Sequence, residues 1–171
     1  MGGIILIIAG ILSVMLLAKQ KGAYKATELT PIPTTETVSD LDAMIYYAAN
    51  KYRVDPALVK AVAMVESSLN PYAKNPNDPS WGLMMIMPIL AEDFGIVKDW
   101  HNPTDAEISM IRDPQTNLRI GAWHLNRLLE KHTFDEAIQM YNVGETGYRN
   151  GRRNLDYLSK VKRWYDVYKK R

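Results

Sequence analysis

The chain has no cysteine, which excludes a disulfide framework, a thiolate nucleophile and any cysteine-bearing zinc site. Histidine is almost as scarce. His101, His124 and His132 are the only three; they show neither ligand spacing nor a partner cluster, so a metal site finds no support and no cofactor is expected. There is no glycine-rich phosphate loop, and no Ser/His/Asp grouping can be assembled. No stretch sustains a period-two alternation of apolar and polar residues, which leaves a predominantly α chain. Internal repeats are absent as well.

What is present is enough for one sizeable core. At 171 residues and 47% hydrophobic, the chain has room for one domain with appendages and not for two. The formal charge of +2 conceals an asymmetry: residues 149 to 171 carry 9 basic and 2 acidic side chains, against 12 basic and 17 acidic in the remainder. The basic set includes Arg149, Arg152, Arg153, Lys160, Lys162 and Arg163. It could face an anionic partner or be an ordinary solvated helix surface. It is too short and too poorly organised for nucleic-acid readout, and no nucleic-acid partner is expected.

From Ile4 to Ala18 no residue is charged, and only Gly10 and Ser13 interrupt the aliphatic run. A membrane span needs roughly 20 apolar residues, with a working range of about 17 to 25. The segment sits at the short edge of that range. A cleaved signal peptide is the competing reading, but a basic n-region and a clear cleavage site are both missing. The expected organisation is a transmembrane helix over 1–19, a linker over 20–38 in which Pro31 and Pro33 favour an extended tether, and a folded domain over 39–171.

Within that domain, Leu41, Met44, Ile45, Ala48 and Tyr52 predict a first helix over about 40–52, with Ser39 and Asp42 placed to cap it. Asp55-Pro56 opens a second, running to about Ser68, and Asp113-Pro114 repeats the signal for a long helix carrying Leu118, Ala122, Leu125 and Leu129. Thr133 and Glu136 form a capping box ahead of Phe134, Ala137, Ile138 and Tyr141. Leu155, Leu158, Val161, Tyr165 and Tyr168 define a last helix.

One carboxylate stands out. Leu58, Val62, Val65 and Leu69 form the apolar stripe of the second helix, and Glu66 falls at i+4 from Val62 and i+8 from Leu58. Glu66 therefore faces the core side. Pattern alone fits a buried structural glutamate as well as a catalytic one. A carboxyl kept from water has its pKa raised, the state a general acid needs near neutral pH. The helix ends just beyond it, where a cleft can reach the side chain.

Three segments carry a resemblance: Glu66-Ser67-Ser68-Leu69-Asn70-Pro71-Tyr72-Ala73, then Gly82-Leu83-Met84-Met85-Ile86-Met87-Pro88, then Met140-Tyr141-Asn142-Val143-Gly144. In this order they resemble the signature segments of the soluble-type lytic transglycosylases, relatives of goose-type lysozyme. The resemblance implies an all-α, lysozyme-like catalytic domain over roughly Asp40 to Arg171. It implies that Glu66 protonates the glycosidic oxygen between N-acetylmuramic acid and N-acetylglucosamine in peptidoglycan. Glu66 then acts as base on the muramic C6 hydroxyl, giving a 1,6-anhydro end. It also implies that Tyr141 hydrogen-bonds the glutamate, and that Ser67, Trp81, Gly82, Leu83, Met84, Met85 and Asn142 contact the glycan. Trp81 is the expected stacking surface for a sugar face. Where the family usually has Gln, this chain has Met85, so a glycan hydrogen bond is lost or supplied elsewhere.

A hydrolase of the usual design wants two carboxylates, about 5 to 5.5 Å apart for retention or about 6.5 to 9.5 Å for inversion. Beyond Glu66 no second acid lies inside the motifs; Asp78, Asp93 and Glu145 are the nearest candidates. The expected partners are peptidoglycan strands, the lipid bilayer through the N-terminal helix, and phage or secretion-machine components. A hydrolase, or an inactive wall-binding or virion protein, is the alternative. Lys19, Lys21 and Lys25 follow the apolar segment, so the positive-inside rule leaves the domain cytoplasmic. That orientation suits a virion's internal membrane loaded from inside the host, whereas action in the periplasm from a bacterial inner membrane needs the opposite one.

Overall fold

A computed structural model of the chain describes residues 40–170. The expected anchor over 1–19, the linker over 20–38 and the Ser39 cap lie outside the described residues. Among the described residues, no helix is long and apolar enough to cross a membrane.

Among the described residues eight helices follow one another: α1 (Asp40–Lys51), α2 (Pro56–Ser67), α3 (Pro88–Asp93), α4 (Asp105–Arg112), α5 (Pro114–Leu129), α6 (Phe134–Val143), α7 (Glu145–Arg149) and α8 (Leu155–Tyr168). The described residues pair as strands only at two isolated antiparallel bridges, Lys74 with Trp81 and Trp81 with Ile86. The all-α expectation holds. α2 packs most extensively on α8, and α5 is flanked by α1, α4 and α6. Leu58, Val59 and Val62 of α2, Leu118, Ile120 and Leu125 of α5, Ile138 of α6 and Val161 of α8 are fully buried in one core.

The helix starts read from sequence are built as the residues dictate. Asp55 accepts a hydrogen bond from the Ala57 amide at 2.9 Å ahead of Pro56, and Asp113 accepts from Thr116 at 2.8 Å ahead of Pro114. Glu136 reaches back to the Thr133 amide at 3.0 Å. Each satisfies amides that have no intrahelical partner. Three helices were not foreseen. α3, α4 and α7 span 6, 8 and 5 residues, too few turns to establish an amphipathic period, although Thr104 and Glu107 cap α4 as Thr133 and Glu136 cap α6. The last stripe needs a correction: Leu155 is 67% exposed. It is the first residue after the Asn154 cap, and the buried face is Tyr157, Leu158, Val161 and Tyr165.

α2 stops abruptly just past Glu66. Ser68 and Leu69 adopt φ of 55° and 61°, and their amides turn back to the carbonyls of Met64 and Ala63. The Ser68 bond is the closure of an αL helix end, and Leu69 adds a wider one, both made here without glycine. The chain then runs through an irregular stretch to α3. Its 81–84 segment is clamped by Asn117 of α5, which is wholly buried. The Asn117 side-chain oxygen accepts from the Met84 amide at 2.8 Å. Its nitrogen donates to the carbonyls of Trp81 at 2.7 Å and Ile111 at 2.9 Å. Gly82 makes this approach possible: its φ is +78°, and a Cβ there would stand 2.4 Å from the Asn117 nitrogen.

Asn117→Ala would orphan the buried Met84 amide and the Ile111 carbonyl at once, each worth about 1 to 3 kcal/mol when left unpaired, while the Trp81 carbonyl keeps the Ile86 amide at 2.9 Å. Urea unfolding should show a loss of about 2 kcal/mol or more. A loss below about 1 kcal/mol would mean that the 81–84 segment is held by other contacts.

Candidate active site

Glu66 occupies the last turn of α2, one and two turns beyond the fully buried Val62 and Leu58. Its backbone is set by core packing and its side chain by the neighbouring α8. The Tyr157 hydroxyl of α8 donates to Glu66 Oε1 at 2.6 Å. Burial pushes the Glu66 pKa up from 4.5 to about 7; the Tyr157 bond pulls the other way, and the negative charge of Asp78 adds a smaller upward push. Desolvation wins because the phenol satisfies only one of the two carboxylate oxygens. Burial first, and the Glu66 charge second, raise the hydroxyl pKa values of both Tyr141 and Tyr157 well above 10. Both phenols remain protonated donors.

The expected bond from Tyr141 to Glu66 is not made. Tyr141 lies on α6, which meets the 81–84 segment, and its hydroxyl donates to the Met84 carbonyl at 2.9 Å. The phenol on Glu66 is supplied by α8, the helix packed along α2. Asn142, exposed as a ligand-contacting residue must be, accepts through Oδ1 from Asn154 at 2.8 Å. Asn154 in turn caps α8, its Oδ1 accepting from the Tyr157 amide at 3.0 Å. Asn142 is thus tied to the start of the helix that carries Tyr157.

The other expected contacts divide by exposure. Leu83 and Met84 are fully buried, so their side chains cannot touch a glycan; Met84 packs over Gly121, where a Cβ would meet its sulfur at 2.2 Å. Trp81 is only 7% exposed, and the Arg112 guanidinium lies 5.4 Å from its ring centre. It is not an open stacking platform. Gly82 contributes backbone, as its clamp requires. Ser67 Oγ lies within hydrogen-bonding distance of the carbonyls of Ala63 at 3.0 Å and Leu83 at 2.9 Å, tying α2 to the segment opposite. Met85 is half-buried with φ +45°, its sulfur 3.7 Å from Ser80 Oγ. Of the candidate second acids, Asp93 pairs with Arg127 at 3.7 Å. Asp78, in an exposed loop, accepts from Asn75 at 2.6 Å.

Tyr157, Asn154 and Asn117 were missed from sequence. For Tyr157 a signal existed: it precedes Val161 and Tyr165 at four-residue spacing, but an aromatic on an apolar stripe reads as core. His124 was also passed over. Its ring centre is 5.4 Å from that of Tyr141, and burial, then the Arg127 charge, lower its pKa to about 4. It is a neutral packing partner for Tyr141.

Residues 43–163 match the family described as the Transglycosylase SLT domain. The chain belongs to this family. Among curated relatives it is 37% identical over 97 residues to the membrane-bound lytic murein transglycosylase E of Buchnera aphidicola, covering 56% of this chain and 42% of that one. It is 36% identical over 87 residues to the membrane-bound lytic murein transglycosylase C of Cronobacter sakazakii, covering 50% and 23%. The chain spans less than half the length of these relatives. The fold matches an inactive mutant of the lytic transglycosylase Slt from Pseudomonas aeruginosa with TM-score 0.58 and 18% identity, over 74% of this chain and 23% of that one.

Two outcomes follow for this SLT domain. In Tyr157→Phe the bond that favours the charged carboxylate is gone, so the Glu66 pKa should move above 7, visible in a carboxyl ¹³C titration; a fall would overturn the assignment. Because folding raises the Glu66 pKa from 4.5 to about 7, its contribution to stability is fully present below about 4.5 and lost as pH rises through 7. Glu66→Gln, neutral throughout, should therefore be more stable than the parent at pH 8 by on the order of 3 kcal/mol, with the gap closing near pH 4.5. Urea unfolding at the two pH values measures it.

Proposed function

We propose that the chain is a peptidoglycan lytic transglycosylase, cutting the β-1,4 bond between N-acetylmuramic acid and N-acetylglucosamine and leaving 1,6-anhydro ends. The observation that carries this reading is Glu66 itself, one largely desolvated carboxyl with a pKa of about 7 and a phenol on one oxygen. A single group that must first give a proton and then take one works best when its pKa lies near the working pH. With Tyr157 on Oε1, Oε2 is the oxygen that carries the proton to the glycosidic oxygen. As the bond breaks, the Tyr157 hydroxyl stabilises the carboxylate that forms. That carboxylate then takes the proton of the muramic C6 hydroxyl, whose oxygen closes on C1, and the enzyme returns to its starting state without water. Asn142, Ser67 and Met85 are the proposed glycan contacts. The names of the curated relatives, membrane-bound lytic murein transglycosylases, support the activity and a location at a membrane. Residues 1–19 tether the domain to a membrane facing the wall, in a bacterial inner membrane or in a virion membrane that meets the wall during infection.

One observation favours hydrolysis instead: the Asp78 charge is felt at Glu66, so a second carboxylate is within electrostatic reach. Its exposed loop and its bond to Asn75 suit a solvated residue better than a buried nucleophile. Mass spectrometry of muropeptides released from purified sacculi separates the two, since anhydro ends are expected and reducing ends would overturn the transglycosylase reading. Glu66→Gln should lower the rate on the order of 10² to 10⁴-fold while the fold persists.

A further inference from the structure

Between the 71–74 stretch and the end of α4, the surface sinks into a recess of about 270 Å³ lined by Pro71, Tyr72, Ala73, Lys74, Trp81 and Arg112. It begins five residues beyond Glu66 and shares Trp81 with the clamped 81–84 segment. Two features are unexplained by folding. The Tyr72 ring is 88% exposed, although the Tyr72 amide is fixed by Asn70 at 3.0 Å. And the recess brings two cations together with no acidic residue in its lining. Cations elsewhere differ in this respect: among the described residues Lys60, Arg127, Lys160 and Lys162 have carboxylate partners, and Lys51 and Arg163 do not. Among the described residues Lys74 and Arg112 have none. Asp113, next to Arg112, is engaged in capping α5. Arg112 is instead held against the Trp81 ring, which orients its guanidinium and leaves its donors for another group. The Trp81 Nε1 is buried beside it without a partner.

We infer that this recess binds the peptide stem of peptidoglycan, taking a free carboxylate on Lys74 and Arg112 and the small apolar side chains of the stem against the exposed Tyr72 ring. The inference rests on the peptidoglycan reading above. A neutral sugar gives two unpaired cations nothing to neutralise. A nucleic acid or an anionic membrane would need a longer basic stripe than one lysine and one arginine. A stem matches in charge: it is a short acidic peptide that also carries small alanyl methyl groups. Arginine grips a carboxylate with two parallel bonds, and lysine adds a point charge.

The test is a calorimetric titration of the full chain with a synthetic stem tetrapeptide bearing a free C-terminal carboxylate. Without a glycan the peptide cannot be cleaved. Saturable binding is expected, weakened about tenfold by Lys74→Gln or Arg112→Gln, consistent with the loss of one charge-assisted hydrogen bond, and weakened comparably when the peptide terminus is amidated. Absence of saturable binding, or binding that the double variant and amidation leave unchanged, would overturn the inference. Lys74 is exposed and unpartnered, so Lys74→Gln keeps the test valid even if Arg112→Gln disturbs the packing of Trp81. Peptide binding without glycan cleavage would sink only the catalytic reading; cleavage without peptide binding would sink only this one.

Discussion

The site depends on how one irregular segment disposes of its backbone polar groups. Residues 81–84 form neither helix nor a regular strand, yet they are buried. The Trp81 carbonyl and Met84 amide are met by Asn117, the Leu83 carbonyl by Ser67 and the Met84 carbonyl by Tyr141. These three side chains come from α5, α2 and α6. An orphaned buried amide or carbonyl costs about 1 to 3 kcal/mol, a large fraction of a typical domain's stability. The three helices are therefore locked in one arrangement around the segment, with Gly82 as the position where no Cβ can intervene. Ser67 makes the lock functional, because it is the residue next to Glu66.

At Glu66 two effects oppose each other, and burial prevails. Burial alone would hold the carboxyl neutral well above the ordinary range, and the Tyr157 bond returns part of the shift by favouring the charged form. The outcome near 7 is the value that serves proton donation and proton recovery by the same group. It follows from helix packing, since α8 lies along α2 and presents Tyr157 opposite the last turn. Asn154 fixes the start of α8 and bonds Asn142 at the same time, so the proposed glycan contact and the phenol on the carboxylate are set by one helix cap.

Much of this was legible in the residues. Aspartate followed by proline marked two helix starts, and a Thr/Glu pair marked a third, because capping is a local matter of a few side chains and amides. Glu66 was visible as a lone carboxylate on an apolar face. The partner of that carboxylate was not, because Tyr157 is 91 residues away in sequence and looks like any aromatic on a buried stripe. Placing Leu155 on that stripe shifted attention by two residues, toward a side chain that is mostly in solvent. Tyr141 was correctly read as an inward-facing residue, but the choice between a carboxylate and a carbonyl as its acceptor is made by tertiary packing. Leu83 and Met84 sit in the second motif for the same reason. Their side chains fill the core, and only their backbone groups serve the site.

Met85 shows what the burial of its neighbours leaves to the groove. It is the residue of the Leu83–Met85 run that retains exposure, and its left-handed backbone turns it out of the core while Met84 packs inward. Where the resemblance calls for glutamine, the thioether offers a polarisable surface and a weak acceptor already facing Ser80. Dispersion holds a sugar near the wall but does little to fix its rotation. The orienting polar groups must then lie elsewhere, and Asn142, held from behind by Asn154, is the exposed amide best placed to serve. The proton chemistry depends on the desolvation of Glu66 and on Tyr157, neither of which involves Met85. In the proposed function the substitution therefore bears on how tightly and in what orientation a glycan would be held, and leaves the reactivity of the carboxyl as the helices set it.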